Sequence, residues 1–196
     1  MSNENKTRLV ILISGRGSNM RSIIEAIDAQ QIDATVSAVI SNRPDAAGLD
    51  YAKAQSITTA VVDHKTFSDR DSFDKALAER IDDYKPDFVI LAGFMRILTS
   101  GFVKHYRNKL INIHPSLLPK FKGLNTHQRA IDAGEKEHGA SVHFVTAELD
   151  DGPVIMQAKV NILADDSAES LAARVLEQEH QLYPAAIQKL VKSKQD

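Results

Sequence analysis

Two short stretches carry side chains whose types and spacing could do chemistry. In "INIHPSLLP", residues 111–119, Asn112 and His114 stand two apart in an apolar alternation that Pro115 ends. A period of two puts both on one face of a strand, at its carboxyl end, where open α/β sheets place their ligands. An amide that donates to an oxyanion beside an imidazole that moves a proton is a pairing suited to acyl transfer. The same two residues also fit a satisfied core histidine and a turn asparagine, and spacing leaves both readings open. A catalytic imidazole needs a third group to orient it. "ELDDGP" offers Asp150 in a turn, but nothing in its spacing brings it to His114.

The second stretch is "SGRGSN", Ser14 to Asn19, which follows an apolar run and opens a helical pattern. Gly15 and Gly17 permit a tight turn with bare amides, and a helix N-terminus adds partial positive charge, so the turn suits a phosphate. It is not the dinucleotide fingerprint, because Met20 takes the place of the third glycine and "AVISN" ends without an acid. No Gly-Lys-Ser/Thr follows, so it is not a P-loop. A tight turn without a ligand is equally consistent with these residues.

Composition narrows the setting. A chain of 196 residues fits one domain with a single core, and 43% hydrophobic with 26% charged residues marks an ordinary globular protein. The net charge of −2 gives no general attraction to nucleic acid or acidic membrane, so no partner of either kind is expected and any anion must be held locally. The polar leader "MSNENKTR" precedes only the short run "LVILI", too short for a signal peptide or a membrane span, which predicts a cytoplasmic protein. The absence of cysteine excludes disulfides, thiolate metal sites and cysteine nucleophiles. His138 and His143 are spaced to face opposite sides of a strand, and no HExxH occurs, so no metal is expected.

The elements that must position these residues are legible as alternating apolar runs and amphipathic segments. Residues 8–14, 35–41, 58–63 and 87–93 read as buried strands, and 19–29, 45–55 and 70–84 as helices between them. This βαβ rhythm predicts an α/β fold: a Rossmann-like, mostly parallel sheet with helices on both faces. Past Ile111 the rhythm changes. "ASVHFVTAELD" and "PVIMQAKVNI" predict an antiparallel extension, and the chain closes in a long helix capped by Asp166 or Ser167. No repeat or linker divides the chain. It reads as one domain over 1–196, with a parallel phosphate-binding half at 8–110 and a catalytic, ligand-binding half at 111–196.

"LISGRGSNMRSII", "LAGFMRIL", "INIHPSLLPKF", "HGASVHFVTAELDDGPVI" and "RVLEQEHQLYP" together resemble the phosphoribosylglycinamide formyltransferases, in order and over residues 8–190. The resemblance implies formyl transfer from 10-formyltetrahydrofolate to the amine of 5-phosphoribosylglycinamide (GAR) in purine synthesis, with no metal. It places the catalytic asparagine, histidine and aspartate on Asn112, His114 and Asp150, and the substrate phosphate on Gly17, Ser18 and Asn19. It puts Glu179 against the glycinamide substrate. The folate is expected against Met95, Arg96, Ile97 and Leu98, with Arg70 facing its glutamate tail. Thr146 to Asp151 would wall the pteridine, and Asn112 and Asp150 would touch it too. Both substrates are small molecules, and a monomer or weak homodimer is expected.

Some residues depart from the family pattern. Lys122 and Asn125 replace a proline and a histidine after "LLPK", so His127 is given no role, and Arg16 stands in the phosphate turn. The rivals are a formyltetrahydrofolate hydrolase, expected to carry an extra N-terminal domain, and a methionyl-tRNA formyltransferase, expected to carry a C-terminal RNA-binding domain. A non-catalytic nucleotide sensor has no need of Asn112 beside His114.

Overall fold

The computed structural model describes residues 6–195. Its strands are β1 (Thr7–Ile13), β2 (Ala34–Ser41), β3 (Thr59–Val61), β4 (Phe88–Leu91), β5 (Leu110–His114), β6 (Glu137–Phe144) and β7 (Val154–Asn161). Its helices are α1 (Ser18–Asp28), α2 (Gly48–Ala54), α3 (Arg70–Asp82), α4 (Ser100–His105), α5 (Thr126–Asp132) and α6 (Ala168–Gln195). One sheet runs β3-β2-β1-β4-β5-β6-β7. The strands from β3 to β5 are parallel, and β6 and β7 are antiparallel. The change of direction therefore falls after His114. β5 still belongs to the parallel part, whereas the sequence divided the chain at residue 110.

Alternation in β1 explains the two layers. Leu9, Ile11 and Ile13 face a core closed by α1, α2 and α6, and Val10 and Leu12 face one closed by α3 and α4. All five are fully buried, and each such side chain contributes about 1.5–3 kcal/mol. Tyr183 of α6 is also fully buried. Its hydroxyl lies 2.9 Å from the carbonyl of Leu91 and 3.1 Å from that of Ile111, so it donates to one of the two strands at a time and ties α6 beneath both.

Several boundaries differ from the expected ones for physical reasons. β3, at the sheet edge, pairs with β2 only over Thr59–Val61 and is shorter than expected. α2 starts at Gly48 instead of Asp45, because Asp45 is held in the preceding turn by Arg43 at 2.8 Å. β6 begins at Glu137, three residues before the expected Ala140. α4 and α5 are too short to show a helical period. Ser167 is the cap of α6, its hydroxyl accepting from the Ser170 amide at 3.1 Å, while Asp166 pairs with Arg174.

The strand order reverses between β1 and β4. Crossovers leave those neighbours in opposite directions, which opens a crevice at their carboxyl ends. The turn after β1 and the loop after β4 meet there.

Candidate active site

The turn after β1 is built from backbone. Gly17, the residue before α1, has φ 69°, and a Cβ placed on it would stand 3.0 Å from Cε of Met20. No side chain caps this helix, so its first-turn amides keep their unsatisfied hydrogens for an anion. Arg16 and Ser18 are exposed, but Asn19 is buried and points inward. Its Nδ2 donates to Oε2 of Glu179 at 2.8 Å, and its Oδ1 has no hydrogen-bond partner among the described residues. What Asn19 can offer an anion is therefore its main-chain amide. Glu179 is no surface charge: it is 8% exposed, and burial pushes its carboxyl above the ordinary range, partly offset by the bond from Asn19.

Asn112 and His114 share one face of β5, as the alternation predicts, and the antiparallel neighbour sets His143 directly opposite Asn112. The loop 145–153 then returns Asp150 to them. Its Oδ2 lies 3.4 Å from Nδ1 of His114, its Oδ1 lies 3.8 Å from Nε2 of His143, and the Gly123 amide donates to Oδ2 at 2.9 Å. Asp150 reaches this position with φ 49°. His114 has its Nε2 2.9 Å from the carbonyl of Phe121, so both ring nitrogens face oxygen acceptors. Nε2 donates to the carbonyl, which can only accept, and the Asp150 carboxylate stands at ion-pair distance from Nδ1.

His143 is a site residue that the sequence reading left out. Its Nδ1 is 2.9 Å from the carbonyl of Phe144, which fixes the hydrogen on that nitrogen and turns the Nε2 lone pair toward Nδ2 of Asn112 at 3.4 Å. Burial holds the ring below the ordinary histidine range, against the opposing bond to Phe144 and the Asp150 charge. A neutral His143 thus orients the amide of Asn112 and leaves its second N–H free to face a substrate. Seeing this from sequence requires the β5–β6 register, which no local pattern encodes. Among the described residues no group of three or more histidines and acids is arranged to hold a metal ion.

The remaining expected residues lie around the loop after β4. Met95 and Ile97 are 75% and 66% exposed, so neither is core; Leu98 is half-buried against the α3–α4 cluster. Arg96 stacks over the ring of Phe73 at 5.3 Å, and Arg70 is exposed at the first turn of α3. Thr146 lines a cavity of about 810 Å³ between α4 and the loop after β6, with Val103, Phe144, Val145 and Pro153. Lys122 forms an ion pair with Asp151, next to Asp150. Asn125 stands before α5 with φ 55°, and His127 packs against His138 instead of entering the site.

A sequence profile described as formyl transferase matches residues 7–187. The chain belongs to the formyl transferase family. It is 53% identical to the phosphoribosylglycinamide formyltransferase of Escherichia coli (strain K12) over 91% of its own length and 84% of that protein's. It is 42% identical to the trifunctional purine biosynthetic protein adenosine-3 of Homo sapiens, matching 93% of this chain and 18% of that one. Among solved structures, glycinamide ribonucleotide transformylase 1 from Symbiobacterium toebii superposes with a TM-score of 0.93 at 40% identity, covering 97% of this chain and 90% of that one. The fold of this formyl transferase is thus shared with its relatives along nearly its whole length.

Proposed function

We propose that this formyl transferase moves the formyl group of 10-formyltetrahydrofolate to the amine of GAR, in purine biosynthesis. The observation that carries the reading is the meeting of Asn112, His114 and Asp150 at the carboxyl end of β5, in a family named for formyl transfer. The neutral amine forms a bond to the formyl carbon, and the carbonyl electron pair moves to oxygen. Asn112 donates to that oxyanion. The carbonyl then re-forms, the bond to N10 of the folate breaks, and N10 takes a proton while the former amine loses one. His114 gives and relays these protons, and Asp150 orients and polarises it. Products are tetrahydrofolate and the formylated ribotide.

In this reading the amides of Gly17, Ser18 and Asn19 hold the ribotide phosphate, and Glu179 faces the glycinamide end. Met95 to Leu98 and the cavity beside Thr146 take the folate ring, and Arg70 faces its glutamate tail. One domain over 1–196, a cytoplasmic location and a monomer or weak homodimer belong to the same proposal. No described helix is long and apolar enough to cross a membrane. The test mixes protein with 10-formyltetrahydrofolate and adds GAR, water alone, or charged tRNA, following tetrahydrofolate by absorbance. Release that depends on GAR is expected. Equal release in water alone would make the protein a hydrolase, and release only with tRNA would move it to another branch of the family.

A further inference from the structure

Ser14 closes β1 and is 5% exposed, yet its hydroxyl is fully occupied. It donates to Oδ1 of Asn42 at 2.6 Å and accepts from the amide of Met95 at 2.8 Å. The Ser14 amide donates in turn to the carbonyl of Gly93 at 3.2 Å. One residue therefore grips the loop after β4 at two points and joins directly to the anion-binding turn, whose Gly15 carbonyl is itself held by the amide of Gly48 at 3.0 Å. Asn42, 2% exposed at the end of β2, has its Nδ2 3.2 Å from Nδ1 of His64. That nitrogen lies 2.8 Å from the carbonyl of Asn42. The result is a buried polar chain across the carboxyl ends of β2, β1 and β4. Within this chain the Ser14 hydroxyl has both an acceptor and a donor, and removing it leaves Oδ1 of Asn42 and the Met95 amide without that partner.

We infer that Ser14 and Asn42 are positioning residues that couple the two substrate sites, so that an anion on the turn at Gly17 orders the loop at Met95 and tightens the folate there. The inference rests on the substrate assignment proposed above. The Met95 and Ile97 side chains are exposed; the start of the loop is gripped by Ser14 at Gly93 and Met95, while Arg96 over Phe73, Leu98 and the Thr99 amide on Asp74 hold its far end. Coupling between sites is reciprocal, so tetrahydrofolate must tighten GAR by the same factor.

Calorimetry of tetrahydrofolate with and without saturating GAR reads the coupling. The wild type should bind tetrahydrofolate about fivefold or more tightly when GAR is present, within the usual range for coupled sites. Ser14→Ala keeps Cβ and removes the hydroxyl. It should bring that ratio close to one and raise KM for the folate while leaving kcat much less changed. Asn42→Ala should act in the same direction. A residue with a merely structural role would lower thermal stability without moving the ratio. A wild-type ratio of one, or an unchanged ratio in Ser14→Ala, overturns the inference. Should the variants fail to fold, hydrogen exchange of the Met95 amide in the wild type decides: GAR alone must slow it, and no slowing sinks the idea. Wild-type protein that turns over GAR but shows no coupling defeats this inference alone, whereas protein inactive with GAR defeats the functional reading beneath it.

Discussion

The anion turn after β1 and the loop of residues 145–153 reach the same crevice by opposite means. The turn presents main-chain amides on an uncapped helix, in a geometry set by Gly17 and locked by Gly48. The loop delivers one carboxylate, Asp150, between two imidazoles, and is held through Gly123 and the Lys122–Asp151 pair. A site made of backbone is indifferent to side-chain titration and to side-chain deletion, and yields to distortion of the chain. A site made of side chains answers to titration and to deletion. The two regions should therefore fail in different measurements.

The largest effect is expected at the imidazole. His114→Ala should leave folate binding intact and lower kcat by roughly 10²- to 10⁴-fold, the usual worth of a placed proton donor. Turnover within a few-fold of wild type would remove His114 from the mechanism. Asn112→Ala should cost about 10²- to 10³-fold in kcat through the lost oxyanion donor. Asp150→Asn should lower kcat and shift its pH dependence. The double variant should be less impaired than the product of the single losses, because the groups act as a unit. Multiplicative losses with an unmoved pH profile would reduce Asp150 to a turn residue.

Acid should separate the regions next. Burial, then the charges of His127 and His114, lower His138 to about 4, against a bond to the Pro115 carbonyl and the Glu135 charge, which raise it. The fold thus prefers the neutral ring. Its contribution is present above the ordinary histidine value near 6.5 and is lost as pH falls from there toward 4, on the order of 3 kcal/mol. His138 packs against His127 and the ring of Phe121, so amides of residues 115–127 should lose exchange protection in that window while those of 9–24 keep theirs. His138→Gln should flatten the acid limb. Parallel loss in both regions would refute a local origin.

At the turn, Gly17→Val should raise KM for GAR about tenfold or more and leave that for the folate nearly unchanged. A branched side chain is strained at φ 69° and meets Met20. A similar rise in both constants would make the turn structural.

The same contrast explains what the sequence could disclose. The turn is local: strand end, glycines and helix start are contiguous, so its place is readable from Ser14 to Asn19. Asn112 and His114 are two apart and share a face by period alone. His143 joins them only through the antiparallel register of β5 with β6, and Asp150 only through the loop after β6, where it stands in the left-handed region. No short-range pattern carries that. The bonds from Ser14 to Asn42 and Met95 cross three strand ends and were equally hidden, as was the inward turn of the Asn19 side chain. Met95 and Ile97, apolar next to a strand, read as core or ligand surface with equal ease, and their exposure removes the first.

The smallest effect belongs to Lys122. Its pair with Asp151 joins residues 120–123 to the loop bearing Asp150, but the side chains are 37% and 51% exposed. Exposed pairs are worth about 0.2–1 kcal/mol and weaken with salt. Lys122→Ala should therefore lower kcat by no more than a few-fold, with KM for GAR unchanged because the anion turn is untouched. Raising ionic strength should carry wild-type kcat down to the level of the variant, whose own kcat should depend less on salt. If the variant kept the wild-type salt response, the pair would not hold the loop. Asp150 would then owe its position to the bond from Gly123 and to the path of the backbone through residues 145–153.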